Sequence, residues 1–221
     1  EDLIKILCEV FLAPGDLVVT QRPVFGLHEI YPKMMGAEVE LLELNEQLGF
    51  DLGAWCAAVA KAPKIAFLPN PSNPVGCMMD TAQFAQVLEA TPANTVLVVD
   101  EAYYEYALHD DDYPDVLAML DARVGPWIVL RTFSKAWGLA GLRVGYGVAG
   151  DAATIALLDR VRTPFNVNQA AQVAAMAALK DEAYMRRSVQ ATVLEREALA
   201  QRLRTAGLRV APSATNFLFV E

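Results

Sequence analysis

The stretch TVLVVDEAY, residues 95–103, decides the fold. From Thr95 to Val99 it is apolar or β-branched without alternation, and a carboxylate follows at Asp100. A strand that is apolar on both faces is typical of a parallel sheet covered by helices on both sides. The stretch therefore predicts a central parallel strand that presents polar side chains at its carboxyl end.

Similar apolar runs recur along the chain and alternate with helical patterns. The predicted strands are Leu17–Thr20, Ala37–Leu42, Lys64–Leu68, Thr95–Asp100, Trp127–Arg131 and Arg143–Val148. The predicted helices lie near 53–61, 81–90, 115–122 and 151–161. This alternation predicts an α/β protein with a three-layer α/β/α large domain and a mainly parallel sheet.

The pattern changes in the last third of the chain. Residues 168–206 are helical in pattern, as one helix or two, and Gly207 is placed to end them. The runs 208–211 and 216–220 are interpreted as strands. We expect a large domain at 1–190 and the beginning of a small α+β C-terminal domain at 191–221, both truncated parts of a longer protein.

Composition excludes several classes of function. The formal net charge is -9, whereas proteins that bind nucleic acid or anionic membranes carry basic patches. No apolar run approaches the roughly 20 residues that span a bilayer. Three cysteines without a CxxC pair indicate free thiols and a cytoplasmic protein, and two distant histidines give no basis for a metal site.

The segments that follow the predicted strands hold the candidate site residues, because ligands of open parallel sheets bind at the carboxyl ends of strands. Residues 69–76 contain three prolines and a glycine, which would hold Asn73 as an amide donor in a rigid turn. Asp100 needs a cation or several donors at the end of a buried strand. Tyr103 can reach the same space. A plain Pro-rich strand exit and a helix-capping Asp100 are the structural alternatives.

Lys135 is the candidate nucleophile. Of six lysines, it alone follows a buried strand within an apolar, Gly-rich segment. Phe133, Trp137 and Leu139 surround it, and Arg143 follows in the same segment. We therefore expect a desolvated and nucleophilic amine.

One motif is interpreted as chance. Residues 145–150, GYGVAG, match the GxGxxG pattern of dinucleotide-binding loops. That pattern needs a tight turn after a strand and an acidic residue roughly 20 residues further along. Here Ala170 lies at that distance, and Gly145 and Gly147 fall inside a predicted strand.

Taken together, these segments resemble the fold-type-I pyridoxal-phosphate aminotransferases, and most closely their histidinol-phosphate aminotransferase branch. The resemblance covers nearly the whole chain, in the family's order and spacing. The matching stretches are 13–16 (APGD), 22–25 (RPVF), 70–76 (NPSNPVG), 99–103 (VDEAY), 131–135 (RTFSK) through 143–145 (RVG), and 164–168 (PFNVN). Each stretch is modest by itself, but the combination is specific.

The resemblance implies a role for each candidate residue. Lys135 would form a Schiff base with pyridoxal 5'-phosphate and then transfer protons. Asp100 would keep the ring nitrogen protonated, and Phe25 would stack on the ring. The remaining contacts to the cofactor would be made at its phenolic oxygen by Asn73 and Tyr103, and at its phosphate by Arg143, Ser134 and Thr132.

The resemblance also shows departures and leaves the reaction open. Val75 stands where the family usually has threonine. Part of the phosphate site and the arginine that binds the substrate carboxylate would lie outside residues 1–221, so this chain by itself is expected to lack full activity. The leading function is transfer of an amino group from histidinol phosphate or an amino acid to a 2-oxo acid such as 2-oxoglutarate, in a homodimer. The alternatives are an aromatic amino acid aminotransferase, a lyase similar to threonine-phosphate decarboxylase, and a non-catalytic binding domain.

Overall fold

A six-stranded sheet forms the centre of the computed structural model, which describes residues 1–221. The strands are β1 (Leu17–Gln21), β2 (Glu38–Leu42), β3 (Ile65–Pro69), β4 (Val96–Asp100), β5 (Trp127–Thr132) and β6 (Gly145–Ala149). Their order is β2-β1-β3-β4-β5-β6, and only β6 runs antiparallel to its neighbour. The predicted α/β class with a mainly parallel sheet is confirmed.

Most of the helices connect the strands or cover the sheet, and the last two follow the final strand. They are α1 (Asp2–Phe11), α2 (Leu27–Met34), α3 (Leu52–Val59), α4 (Thr81–Ala90), α5 (Tyr104–Ala107), α6 (Val116–Asp121), α7 (Ala152–Val161), α8 (Gln169–Lys180) and α9 (Glu182–Thr205). Many begin at an aspartate whose carboxylate accepts a backbone hydrogen bond from the first turn. This holds for Asp51, Asp80, Asp115 and Asp151. Such caps satisfy N–H groups that have no partner within the helix.

The core has two halves, one on each face of the sheet. Leu97 and Val99 belong to the cluster that packs against α3, α4 and α6. Val96 and Val98 belong to the cluster formed with α1, α2 and α7. Successive residues of a strand point to opposite faces, so an apolar run without alternation is what both clusters require. The last residue of the run, Asp100, is thereby placed at the carboxyl end of this central strand.

The structure corrects three local predictions. The sixth strand begins at Gly145 rather than Arg143, because Arg143 has a φ of 56°, which is incompatible with an extended strand. Residues 208–211 and 216–220 do not form strands, since a single bridge between Val210 and Val220 is all that pairs them. Helix α2 was not predicted, and its interior Pro32 is a residue that normally argues against a helix.

Other predictions agree with the structure or stay open. The helical region 168–206 is two helices, α8 and α9, and Gly145 and Gly147 lie inside β6 rather than in a loop. The division between domains at residue 190 stays a prediction, and that residue lies within α9. None of the helices combines the length and the apolar composition that crossing a bilayer requires.

The fold makes a prediction about its central strand. Val98→Ala removes two methyl groups from a buried side chain in β4. We expect it to lower the free energy of unfolding by about 2 kcal/mol, measured by urea denaturation. The matched control Val124→Ala alters a side chain that is 77% exposed in a loop, and it should change stability by less than about 0.5 kcal/mol. Equal effects of the two substitutions would contradict this description of the core.

Candidate active site

A cavity of about 530 Å³ opens at the carboxyl ends of the central strands. Parallel strands place the residues that follow them at one edge of the sheet, so distant segments of the chain meet there. All the residues singled out from the sequence line this one cavity: Phe25, Asn73, Asp100, Tyr103, Thr132, Ser134, Lys135 and Arg143.

Asn73 and Tyr103 form a hydrogen-bonded pair in the cavity wall. The Nδ2 of Asn73 donates to the phenolic oxygen of Tyr103 over 3.1 Å. The loop that carries Asn73 is closed by backbone hydrogen bonds and turns at Gly76, which has a φ of 94° and whose Cβ position would collide with Ser213. Burial and the nearby Asp100 raise the pKa of Tyr103 to about 12. The phenol therefore keeps its proton near neutral pH.

Asp100 is held by a histidine that the sequence analysis did not select. Its Oδ2 lies 3.1 Å from Nε2 of His28, and its Oδ1 accepts from the backbone N–H of Ala102 over 3.1 Å. The imidazole is fully buried and stacks on Phe67, with ring centroids 4.9 Å apart. Phe25 contacts the same imidazole edge-on. Nothing local in the sequence indicates that His28, in α2, meets Asp100, at the end of β4.

Lys135 lines the cavity. The expectation that its amine is desolvated is wrong. Its side chain is exposed, while the adjacent Phe133 and Ala136 are buried. The apolar neighbours pack inward and leave the amine on the cavity side of the turn. The Nζ of Lys135 lies 5.3 Å from the centroid of the Tyr103 ring, a distance at which a cation is attracted to an aromatic face.

The predicted phosphate ligands occupy the turn between β5 and β6. Thr132 Oγ1 accepts from the backbone N–H of Ser134 over 3.0 Å, which fixes the start of this turn. Arg143 is exposed, and its Nη1 donates to the carbonyl of Ala140 over 2.6 Å. Its Nη2 lies 3.1 Å from the carboxylate of Glu1, so the guanidinium faces an anion that also lines the cavity.

A buried ion pair adjoins the cavity and was not predicted. Arg131, another lining residue, donates from Nε to the buried carboxylate of Glu101 over 2.7 Å. The guanidinium lies 3.6 Å from the centroid of the Tyr104 ring. Burial raises the pKa of Glu101, and Arg131 opposes that shift. In the sequence, Arg131 belongs to a predicted strand and Glu101 follows Asp100. Nothing local indicates that the two side chains meet.

Comparison with known proteins places the chain among aminotransferases. The model of the family described as aminotransferase class I and II matches residues 1–221. The chain is 46% identical to histidinol-phosphate aminotransferase 3 of Rhizobium meliloti, covering 100% of the chain and 60% of that protein. It is 49% identical to histidinol-phosphate aminotransferase 1 of Mesorhizobium japonicum, covering 99% of the chain and 59% of that protein. It is also 39% identical to the aromatic amino acid aminotransferase of Nocardia farcinica, covering 100% of the chain and 60% of that protein.

Solved structures give the same result. The crystal structure of histidinol-phosphate aminotransferase from Sinorhizobium meliloti in complex with pyridoxal-5'-phosphate superimposes with a TM-score of 0.89 at 30% identity. The match covers 99% of this chain and 58% of that one. The chain therefore spans about three fifths of the length of the proteins that it matches.

The contact between His28 and Asp100 can be tested by a double-mutant cycle on stability. His28→Phe keeps an aromatic ring against Phe67 but removes the partner of the carboxylate, and Asp100→Asn removes the charge. We expect His28→Phe to lower the free energy of unfolding by roughly 1.5–3 kcal/mol in the original background and by clearly less in the Asp100→Asn background. The measurement is urea denaturation of the four proteins, and additive losses would show that the two side chains do not interact.

Proposed function

Because the chain belongs to the aminotransferase class I and II family, we propose that it carries most of the active site of a pyridoxal-phosphate-dependent aminotransferase. The observation that carries this proposal is that an amine, a carboxylate and an amide–phenol pair line one cavity, from Lys135, Asp100, Asn73 and Tyr103. A binding module has no need of this combination. The activity is proposed for the full-length protein, of which residues 1–221 would supply the core.

The donor set suits pyridoxal phosphate. The phenolic proton of Tyr103 has no acceptor in the protein, so it is free to be donated, and the raised pKa keeps it in place. Arg143 already pairs with a carboxylate in the cavity, and a phosphate would compete with Glu1 for it. Asp100 supplies a carboxylate for a protonated ring nitrogen. The set therefore offers a partner for each polar group of the cofactor.

When bound, pyridoxal phosphate supplies an aldehyde that reacts with amines and a ring that accepts electron density. Lys135 would hold the aldehyde carbon, and its free Nζ would then carry a proton to and from the substrate carbon. Asp100 would keep the ring nitrogen charged, oriented by His28. Asn73 and Tyr103 would bind the phenolic oxygen. The ring would stack on Phe25, and the phosphate would bind Arg143, Ser134 and Thr132.

We propose histidinol phosphate as the amino donor and 2-oxoglutarate as the acceptor. The support is the identity of 46% and 49% to two proteins named for that activity. An aromatic amino acid is the second candidate donor, supported by the 39% identity to the Nocardia farcinica enzyme. Assay of the full-length protein with each donor separates them by keto-product formation, and release of carbon dioxide would instead indicate a lyase.

The proposal extends to a cytoplasmic homodimer. All three cysteines are free, and Cys8 and Cys77 are buried, which suits a reducing compartment. Phe165 is 98% exposed, and Val173 and Met176 of α8 are also exposed. Val173 and Met176 are three residues apart and so lie on one face of α8, and exposed apolar side chains that lie together favour association. The state in solution can be measured by analytical ultracentrifugation of the full-length protein.

Lys135→Ala tests the proposed function most directly. We expect the full-length variant to lose covalent retention of pyridoxal phosphate after borohydride reduction, and to lose turnover by at least roughly 10²–10⁴-fold, because no other amine replaces Nζ. Lys180→Ala is the matched control, since it removes an amine from the end of α8. Normal turnover in Lys135→Ala would refute the assignment.

Asp100→Asn separates cofactor binding from catalysis. The amide keeps the size of the side chain but cannot hold the ring nitrogen protonated. We therefore expect the variant to retain pyridoxal phosphate covalently while kcat falls by more than about 100-fold. Borohydride trapping and steady-state kinetics are the measurements. Unchanged kcat would remove Asp100 from the proposed mechanism.

A further inference from the structure

A buried chain of polar contacts joins the loops that carry the candidate site. The hydroxyl of Tyr113 lies 2.6 Å from the backbone carbonyl of Asn70 and 2.9 Å from Oε1 of Glu101. The other carboxylate oxygen, Oε2, accepts from Nε of Arg131 over 2.7 Å. The four residues form one continuous path, which we call the Tyr113 clamp.

Three members of the Tyr113 clamp lie at or beside the segments that line the cavity. Asn70 directly follows β3 and begins the turn that holds Asn73. Glu101 directly follows Asp100 at the end of β4. Arg131 lies in β5, just before the turn of Lys135. The clamp therefore crosses three adjacent parallel strands and links the three loops that supply the amide, the carboxylate and the amine.

Stability alone does not account for these groups. The Glu101 side chain is fully buried, and the Arg131 side chain is 14% exposed. Removing such a pair from water costs several kcal/mol, and well-packed apolar residues in its place are often as stable or more so. The phenol of Tyr113 has one proton and two acceptors within hydrogen-bond distance, so a shared hydrogen bond can link Asn70 and Glu101 through it. These features favour a role in placing the loops.

The loop of Asn73 is also held from its other side. The amide oxygen of Asn70 accepts from the backbone N–H of Met79 over 2.8 Å. Ser72 accepts from Nε2 of Gln21, at the end of β1, over 3.0 Å. These contacts restrain the loop towards β1 and α4. Towards β4, the Tyr113 clamp adds to two other contacts: the hydrogen bond between Asn73 and Tyr103, and the backbone hydrogen bond from Asn70 to the carbonyl of Asp100.

We propose that Tyr113, Glu101 and Arg131 are positioning residues that set the separation of the Asn73 loop from Asp100 and Tyr103, and so tune the affinity for the cofactor. The cofactor part rests on the proposed function. The geometric part does not, because it concerns only contacts among the chain's own residues. The two parts can be tested separately.

Tyr113→Phe removes the shared hydroxyl and keeps the ring. In the full-length protein we expect the dissociation constant of pyridoxal phosphate, measured by fluorescence titration, to rise about 10-fold. In the cofactor-free protein we expect faster hydrogen exchange at the amides of Ser72 and Gly76, which close the Asn73 loop. Glu101→Gln is the second variant, should Tyr113→Phe fold poorly.

Arg123→Lys is the matched control. Arg123 donates to the backbone carbonyls of Thr91, Pro92 and Thr95, beside the amino end of β4 and thus at the opposite edge of the sheet. The substitution also breaks a half-buried polar network and lowers global stability. It should leave both the dissociation constant and the exchange at Ser72 and Gly76 within about twofold of the original protein.

A double-mutant cycle tests whether Tyr113 acts through the loop. In an Asn73→Ala background, Tyr113→Phe should weaken cofactor binding by less than about twofold, because the contact that it positions is already absent. Additive losses would overturn the proposal, as would unchanged exchange at Ser72 and Gly76 or an equal effect of Arg123→Lys. Failure of the original protein to bind pyridoxal phosphate would refute the proposed function and the tuning of affinity, while the exchange measurement would still decide the geometric part.

Discussion

The structure depends on a carboxylate at the end of a buried strand. Asp100 ends β4, whose other residues are buried between the two halves of the core. A carboxylate in that position needs partners. Within the chain they are the imidazole of His28 and the backbone N–H of Ala102. The orientation of Asp100 is thereby fixed from α2, an element that packs on one face of the sheet.

The parallel arrangement turns this constraint into a site. Strands β3, β4 and β5 end side by side, so their following loops meet although residues 70 to 135 are spread along the chain. The antiparallel β6 starts from this same edge of the sheet, and Arg143 lies in the turn just before it. Asp100, Tyr103 and Asn73 share one cavity because of topology, and the Tyr113 clamp would help to set their separation.

The sequence predicts those parts of the molecule that local chemistry determines. Continuous apolar runs identify β3 and β4 because burial on both faces leaves no room for alternation. Asp100 and Lys135 stand out because a charged residue at such a strand end needs an explanation. His28 and Glu101 were missed because their partners come from distant elements: Asp100 ends β4, and Arg131 lies in β5. No local pattern reveals these contacts. Residues 208–211 and 216–220 were wrongly predicted as strands because apolar runs of that length form a ladder only where a paired partner exists.

The exposure of Lys135 is consistent with the work proposed for it, although a desolvated amine was expected. Polar groups stabilise a transition state best when they do not have to reorganise during the reaction. Tyr103 and His28 meet this condition because both are buried and hydrogen-bonded. An amine that must release one partner and carry a proton to another needs rotational freedom. Lys135 has that freedom, since the apolar residues beside it pack into the protein and leave its side chain in the cavity. The site therefore combines buried, fixed polar groups with an exposed, movable amine, and the proposed chemistry requires both.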